Sequence, residues 1–157
     1  MEDNRNEHWL IRIGDGKHFI NSSKFNIWGI DSKKKSNTNK FIKESKENDK
    51  LWFITSNSQG KAIAVATFLR LQKREIGPLI SLSLTNEELG WNLSDGNWDY
   101  EVHYKDLYNL SNLDILTRIQ SARSIRRYSD NIDKIKFKLY EEYKNIVKYS
   151  KVNQNFI

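Results

Sequence analysis

The sequence predicts a mixed α/β fold built on a curved sheet or small barrel, and three observations carry this. Several short runs alternate apolar and polar residues with the strand period of two. Segments with helical spacing stand between and after them, the mix that builds layered α/β folds. One strand-like run, Lys61–Leu71, places Ala62, Ala64 and Ala66 on one side, a small face suited to close packing against a helix or inside a tight barrel. At 157 residues the chain is sized for one domain with one core. No internal repeat or linker divides it, so residues 1–157 read as a single domain.

Taken in order, Met1–Glu7 is polar and expected to fray as a disordered tail. The first strand is His8–Ile13, where Trp9, Ile11 and Ile13 alternate with His8, Leu10 and Arg12. Gly14-Asp15-Gly16 ends it. Lys17–Phe25 is a connection that admits a short helix starting after Asn21, and Phe25–Ile30 is the second strand. A helix from Ser36 or Asn37 to about Ser45 turns Phe41 and Ile42 to the core. Leu51–Thr55 is apolar throughout its centre, the mark of a strand buried on both faces. Asn57–Gly60 is a hairpin turn into the alanine-bearing strand. Gly77-Pro78 breaks the chain, and Leu79–Leu84 is a further apolar run. Thr85 with Glu88 makes a capping box. Tyr100–Tyr108 alternates as a strand, Asn112 or Asp114 caps a short helix, and Ser124–Tyr128 is a last strand. Ile132–Val147 carries Ile135, Leu139, Tyr143, Ile146 and Val147 at helical spacing, a C-terminal helix packed on the sheet.

Composition narrows the function. The net charge of +6 favours polyanions, nucleic acid before anionic membrane. A lysine-rich surface also serves solubility. Abundant Asn, Lys and Ile with a single Pro is the bias of AT-rich codons, as in some viruses and parasites. The absence of cysteine excludes disulfides and thiolate zinc sites and points to an intracellular protein. No run has the length of a transmembrane helix, so no membrane partner is expected.

Catalytic signatures are missing: the sequence holds no GxSxG, P-loop, dinucleotide fingerprint or HExxH. His8, His18 and His103 are too scattered to propose a metal site. Asp99 and Glu101 flank Tyr100 and could pair on one strand face, but surface charge is the favoured account. The expectation is a protein that is not an enzyme and needs no metal or cofactor. Aromatic recognition has more support. Trp28, Trp91 and Trp98 stand beside Gly29, Gly90 and Gly96-Asn97. Rings at such loop borders can stack on a base or surround a methylated amine; they can equally plug a barrel end or clamp their own loop. Trp9 and Trp52, inside strands, read as core.

The order HWLIRI (8–13), NIWG (26–29), TNKFIKES (38–45), LWFIT (51–55) and SQGKAIAVATF (58–68) resembles the first half of a YTH or EVE domain. In YTH domains a strand of the type FFLIKS leads to a VW-small motif, a short helix, an apolar strand and a glycine turn. The resemblance implies a PUA-like open β-barrel of about six strands flanked by helices, with a C-terminal helix. It implies a reader that takes N6-methyladenine out of its strand into an aromatic cage. Trp28 matches the first wall, and Trp91 and Trp98 are candidates for the others. Gly29 matches the position whose backbone receives the methylated amine's hydrogen bond. Arg12 and Gly14 match the basic-polar end of strand one, and His18 falls near a position that bonds the adenine edge. The chain carries Arg12-Ile13-Gly14 where the family has Lys-Ser-Asn, and Gly29 where it has Ser, Cys or Thr. EVE domains bind modified DNA bases on the same architecture, so RNA and DNA both stay open as partners.

For the phosphate backbone the sequence offers Lys33, Lys34 and Lys35 beyond Trp28, and Arg118, Arg123, Arg126 and Arg127 around the last strand. Arginine forks suit phosphate better than lysines do. Two other functions fit the same residues: a non-selective single-strand binder with Trp28 in the core, and a protein–protein module whose exposed tryptophans are anchors.

Overall fold

The computed structural model describes residues 6–14, 16–30, 36–55, 61–73, 100–110, 125–128 and 135–149. In chain order they form β1 (His8–Arg12), α1 (Lys17–Ser23), β2 (Ile27–Ile30), α2 (Ser36–Glu44), β3 (Lys50–Ile54), β4 (Ala64–Lys73), β5 (Tyr100–Asn109), β6 (Ile125–Tyr128) and α3 (Ile135–Tyr149). The six strands make one sheet in the order β2-β5-β4-β3-β1-β6. β1 and β3 run parallel, and every other neighbouring pair is antiparallel. A parallel pair needs a crossover, and α1, β2 and α2 supply it. The β4–β5 ladder slips between Val65 and Thr67 and again between Phe68 and Arg70. At the first slip β5 holds the extra residue, near Asp106 at φ 52. Such bulges bend strands and deepen their twist, and they curl this sheet into an open barrel.

Strand alternation sorts the core onto two faces. Trp9, Ile11, Leu51, Phe53, Ala64, Ala66, Val102 and Tyr104 meet Phe19 of α1 and Phe41 of α2. Leu10, Trp52, Val65 and Tyr108 meet Leu139, Tyr143 and Ile146 of α3 on the other. Burying those three α3 side chains contributes on the order of 5 kcal/mol. All five residues of β3 are buried, as its continuous apolar run predicts. The alanines have their use: Ala64 lies opposite Phe53 and Ala66 opposite Leu51, giving room to the large rings.

Polar groups lock the parallel pair. Asp49 accepts bonds from Glu7 N–H (3.0 Å), Trp9 Nε1–H (3.0 Å) and Lys46 N–H (2.9 Å). Trp52 Nε1–H donates to His8 Nδ1 at 3.0 Å. Indole is only a donor, so this bond places the proton of neutral His8 on Nε2. Lys50 is buried with its Nζ donating to Thr67 Oγ1 (3.2 Å), 4.5 Å from the centroid of the Tyr143 ring.

Several expectations need correction. Glu7, which the sequence assigns to the tail, is bonded at both backbone groups, to Asp49 and to Lys50 N–H. α1 starts at Lys17, before Asn21, because Gly16 at φ 91 turns the chain and its carbonyl accepts from Ile20 N–H. A Cβ at Gly16 would meet Thr55 Cγ2 at 3.2 Å. β2 starts at Ile27, since Asn26 at φ 58 is in a turn. β4 starts at Ala64, so Ala62 packs with the α3 cluster and not with Ala64 and Ala66. Val147 lies exposed at the margin of the helix stripe. The turn Asn57–Gly60, the run Leu79–Leu84, the capping box at Thr85 and the helix from Asn112 or Asp114 lie outside the described residues. Among the described residues no helix is long and apolar enough to cross a membrane.

Candidate nucleic-acid interface

Three of the five tryptophans fall within the described residues, and they divide sharply. Trp9 and Trp52 are 1% and 0% exposed, with both indole N–H groups bonded. Trp28 is half-buried on β2, an edge strand of the sheet. Its ring meets Phe19 edge-on, with centroids 6.0 Å apart. Phe19 packs on Phe53 at 4.6 Å, and Phe53 on Tyr104 at 5.5 Å. A file of rings thus runs from Trp28 into the core, fixing Trp28 from behind while part of it remains at the surface.

The backbone beside Trp28 has a defined direction. Tyr104 N–H donates to Asn26 C=O at 3.2 Å, in line with the register Ile27↔His103 and Trp28↔Val102. Backbone groups alternate sides along an antiparallel strand. Asn26 and Trp28 therefore turn theirs toward β5, and Ile27 and Gly29 turn theirs away from it. Gly29 itself is buried.

The remaining base-site candidates lie at the end of β1, after it and on α1. Arg12 is half-buried at the end of β1. Gly14 follows at φ 61, exposed, with nothing within 4 Å of where a Cβ would stand. α1 begins three residues later and delivers Phe19 to Trp28. His18 lies on α1, but its side chain is outside the described set, as is that of Arg126 on β6. Trp91, Trp98, Lys33, Lys34, Lys35, Arg118 and Arg123 also lie outside the described residues.

Arg127 is on β6, at the opposite edge of the sheet order from Trp28. Its Nη1–H donates to Glu44 Oε1 at 3.0 Å, and its guanidinium lies 5.8 Å from the centroid of the Trp9 ring. The fork that sequence offered to phosphate is here engaged by α2 and a core tryptophan, with about a third of the pair in solvent.

Glu101 overturns its expected surface placement. It is fully buried, and His103 Nε2–H donates to its Oε1 at 3.0 Å. Val102 and Tyr104 face the ring core, so Glu101 and His103 share the reverse face of β5. The i, i+2 spacing of an acid and a histidine on one strand is the signal that could have found this pair; Asp99, outside the described residues, drew attention instead. On the ring face of the same strand Tyr104 keeps its hydroxyl in the core with no hydrogen-bond partner among the described residues, and burial pushes the phenol well above its ordinary range. Among the described residues no group of three His, Cys, Asp or Glu could hold a metal ion.

No family model matches the sequence, and no curated protein matches it. Solved structures match in fold. The Pho92 YTH domain, solved in complex with m6A, aligns with a TM-score of 0.52 at 13% identity, over 97% of this chain and 91% of that one. ASCH from Zymomonas mobilis aligns with a TM-score of 0.51 at 13% identity, over 88% of this chain and 96% of that one. The chain therefore has the fold that these YTH and ASCH domains share.

Proposed function

We propose that this protein is a non-enzymatic reader of a modified base, N6-methyladenine in RNA or DNA, with Trp28 as one wall of its pocket. The observation that carries this is the contrast among tryptophans: only Trp28 of the described three is not fully buried, and a ring braced by Phe19 suits stacking. The shared fold with a YTH domain solved with m6A supports it.

In this mechanism the base leaves its strand at a cost of a few kcal/mol. Stacking on Trp28 returns about 1–3 kcal/mol. Trp91 and Trp98 supply the other walls. The Gly29 carbonyl, directed away from β5, accepts the methylated amine's N–H, and that bond with the enclosed methyl group separates modified from plain base. Arg12, Gly14 and His18 hold the base edge and adjoining backbone. Lys33, Lys34, Lys35, Arg118, Arg123 and Arg126 carry phosphate contacts, with Arg127 joining them by exchanging Glu44 for phosphate. The test is binding of single strands, RNA and DNA, with and without N6-methyladenine. A preference for the methylated strand that disappears in Trp28→Ala supports the function; equal affinity for plain and methylated strands refutes it.

A further inference from the structure

We propose that the outer face of α1 and the turn after it form a stacking shelf for the nucleotide next to the one read at Trp28; this rests on the reader function above. Among the described residues three large hydrophobic side chains are exposed, and two of them, Ile20 (40%) and Phe25 (37%), are in this short segment. They are interleaved with cations. Lys17, Ile20 and Lys24, all exposed, recur at the i, i+3, i+7 spacing of one helix stripe, and Phe25 follows directly. From Gly16 to Ile30 the sequence contains no Asp or Glu. An apolar surface that carries Lys17 and Lys24 complements a strand of nucleic acid, whose bases stack and whose phosphates are anionic.

Phe25 is held in place for such a contact. Its N–H donates to Ser22 C=O (3.0 Å) and Asn26 N–H to Ser23 C=O (3.1 Å). Ser23 Oγ–H donates to Ile20 C=O at 3.0 Å, and Asn26 C=O accepts from β5. The turn is thus bonded to helix and sheet, and Asn26 takes a left-handed φ of 58 to make it. Phe19 of α1 belongs to the core, whereas Phe25 is exposed. Phe25 stands three residues before Trp28, at most about 11 Å along the backbone. Neighbouring bases of one strand can therefore reach both rings.

The test compares N6-methyladenosine monophosphate with a methylated pentanucleotide, using the whole chain. Wild type binds the pentanucleotide more tightly than the mononucleotide. Phe25→Ala leaves the mononucleotide unchanged and weakens the pentanucleotide by about tenfold. Phe25→Trp retains or tightens pentanucleotide binding, and Lys24→Ala lowers the salt slope by about one. If Phe25→Ala binds the pentanucleotide as wild type does, the shelf is wrong while the Trp28 pocket stands, and the exposed face is left to a protein partner. If both ligands weaken equally, Phe25 supports the pocket itself and the shelf is again wrong. If wild type binds neither ligand, the reader function fails and the shelf with it.

Discussion

Trp52 and Trp28 are the same residue type in strands of the same sheet, with different surroundings. Trp52 is in β3, inside the parallel pair, with neighbours on both faces and its N–H on His8. Trp28 is on an edge strand with one ring behind it. The difference lies in position: an inner strand is covered from both sides, whereas an edge strand has one lateral neighbour and can leave part of a large ring at the surface. Stability should therefore depend on Trp52 and recognition on Trp28.

The largest expected effect is on the inner side of this comparison. Trp52→Ala should destabilise by about 3–5 kcal/mol through its cavity alone, and it also strips His8 of its donor. Trp28→Ala should cost about 1–2 kcal/mol because the ring is only half-buried. Urea unfolding of both variants measures the gap, and equal losses would break the comparison.

Asp49→Ala comes next. It removes the acceptor of three N–H groups and should cost about 3 kcal/mol in the same unfolding series. His103→Ala should cost about 2–3 kcal/mol, because Glu101 stays buried without its histidine. Glu101→Gln, which keeps an acceptor oxygen, should cost less.

The smallest effect sharpens the view of the core beside Trp28. Tyr104→Phe removes a buried hydroxyl with no partner among the described residues, so it should leave stability unchanged or raise it by up to about 1 kcal/mol. Burial raises the folded phenol above the unfolded value of about 10. The unfolded chain therefore loses this proton first. The Tyr104 contribution is fully present below about pH 10 and falls by about 1.4 kcal/mol per pH unit above it. Tyr104→Phe should flatten that alkaline decline in pH-dependent unfolding.

Much of this fold was legible in the sequence. Period-two alternation located β1 and β5, a continuous apolar run located β3, and the helical stripe Leu139-Tyr143-Ile146 located α3. Trp9 and Trp52 read correctly as core because they sit inside apolar strands. What escaped was set by backbone geometry. The start of α1 depends on the left-handed Gly16, and the start of β2 on the left-handed Asn26. Neither leaves a hydrophobic period to read. Glu101 looked like surface charge because nothing local shows that β5 is covered on both faces. Of the candidate site, Trp28 was singled out by its place beside Gly29, whereas its position on an edge strand and the outward direction of the Gly29 backbone follow only from sheet order and strand register. The contact of Arg127 with Glu44 spans 83 positions of the chain and was not legible in the sequence.

The most direct test of Trp28 as a recognition residue is fluorescence-anisotropy binding of wild type and Trp28→Ala to plain and N6-methylated single strands, RNA and DNA, at two salt concentrations. Wild type should prefer a methylated strand, and Trp28→Ala should keep its fold and salt-dependent binding but lose the preference. Wild-type binding that ignores methylation, or a preference that survives Trp28→Ala, would contradict the assignment.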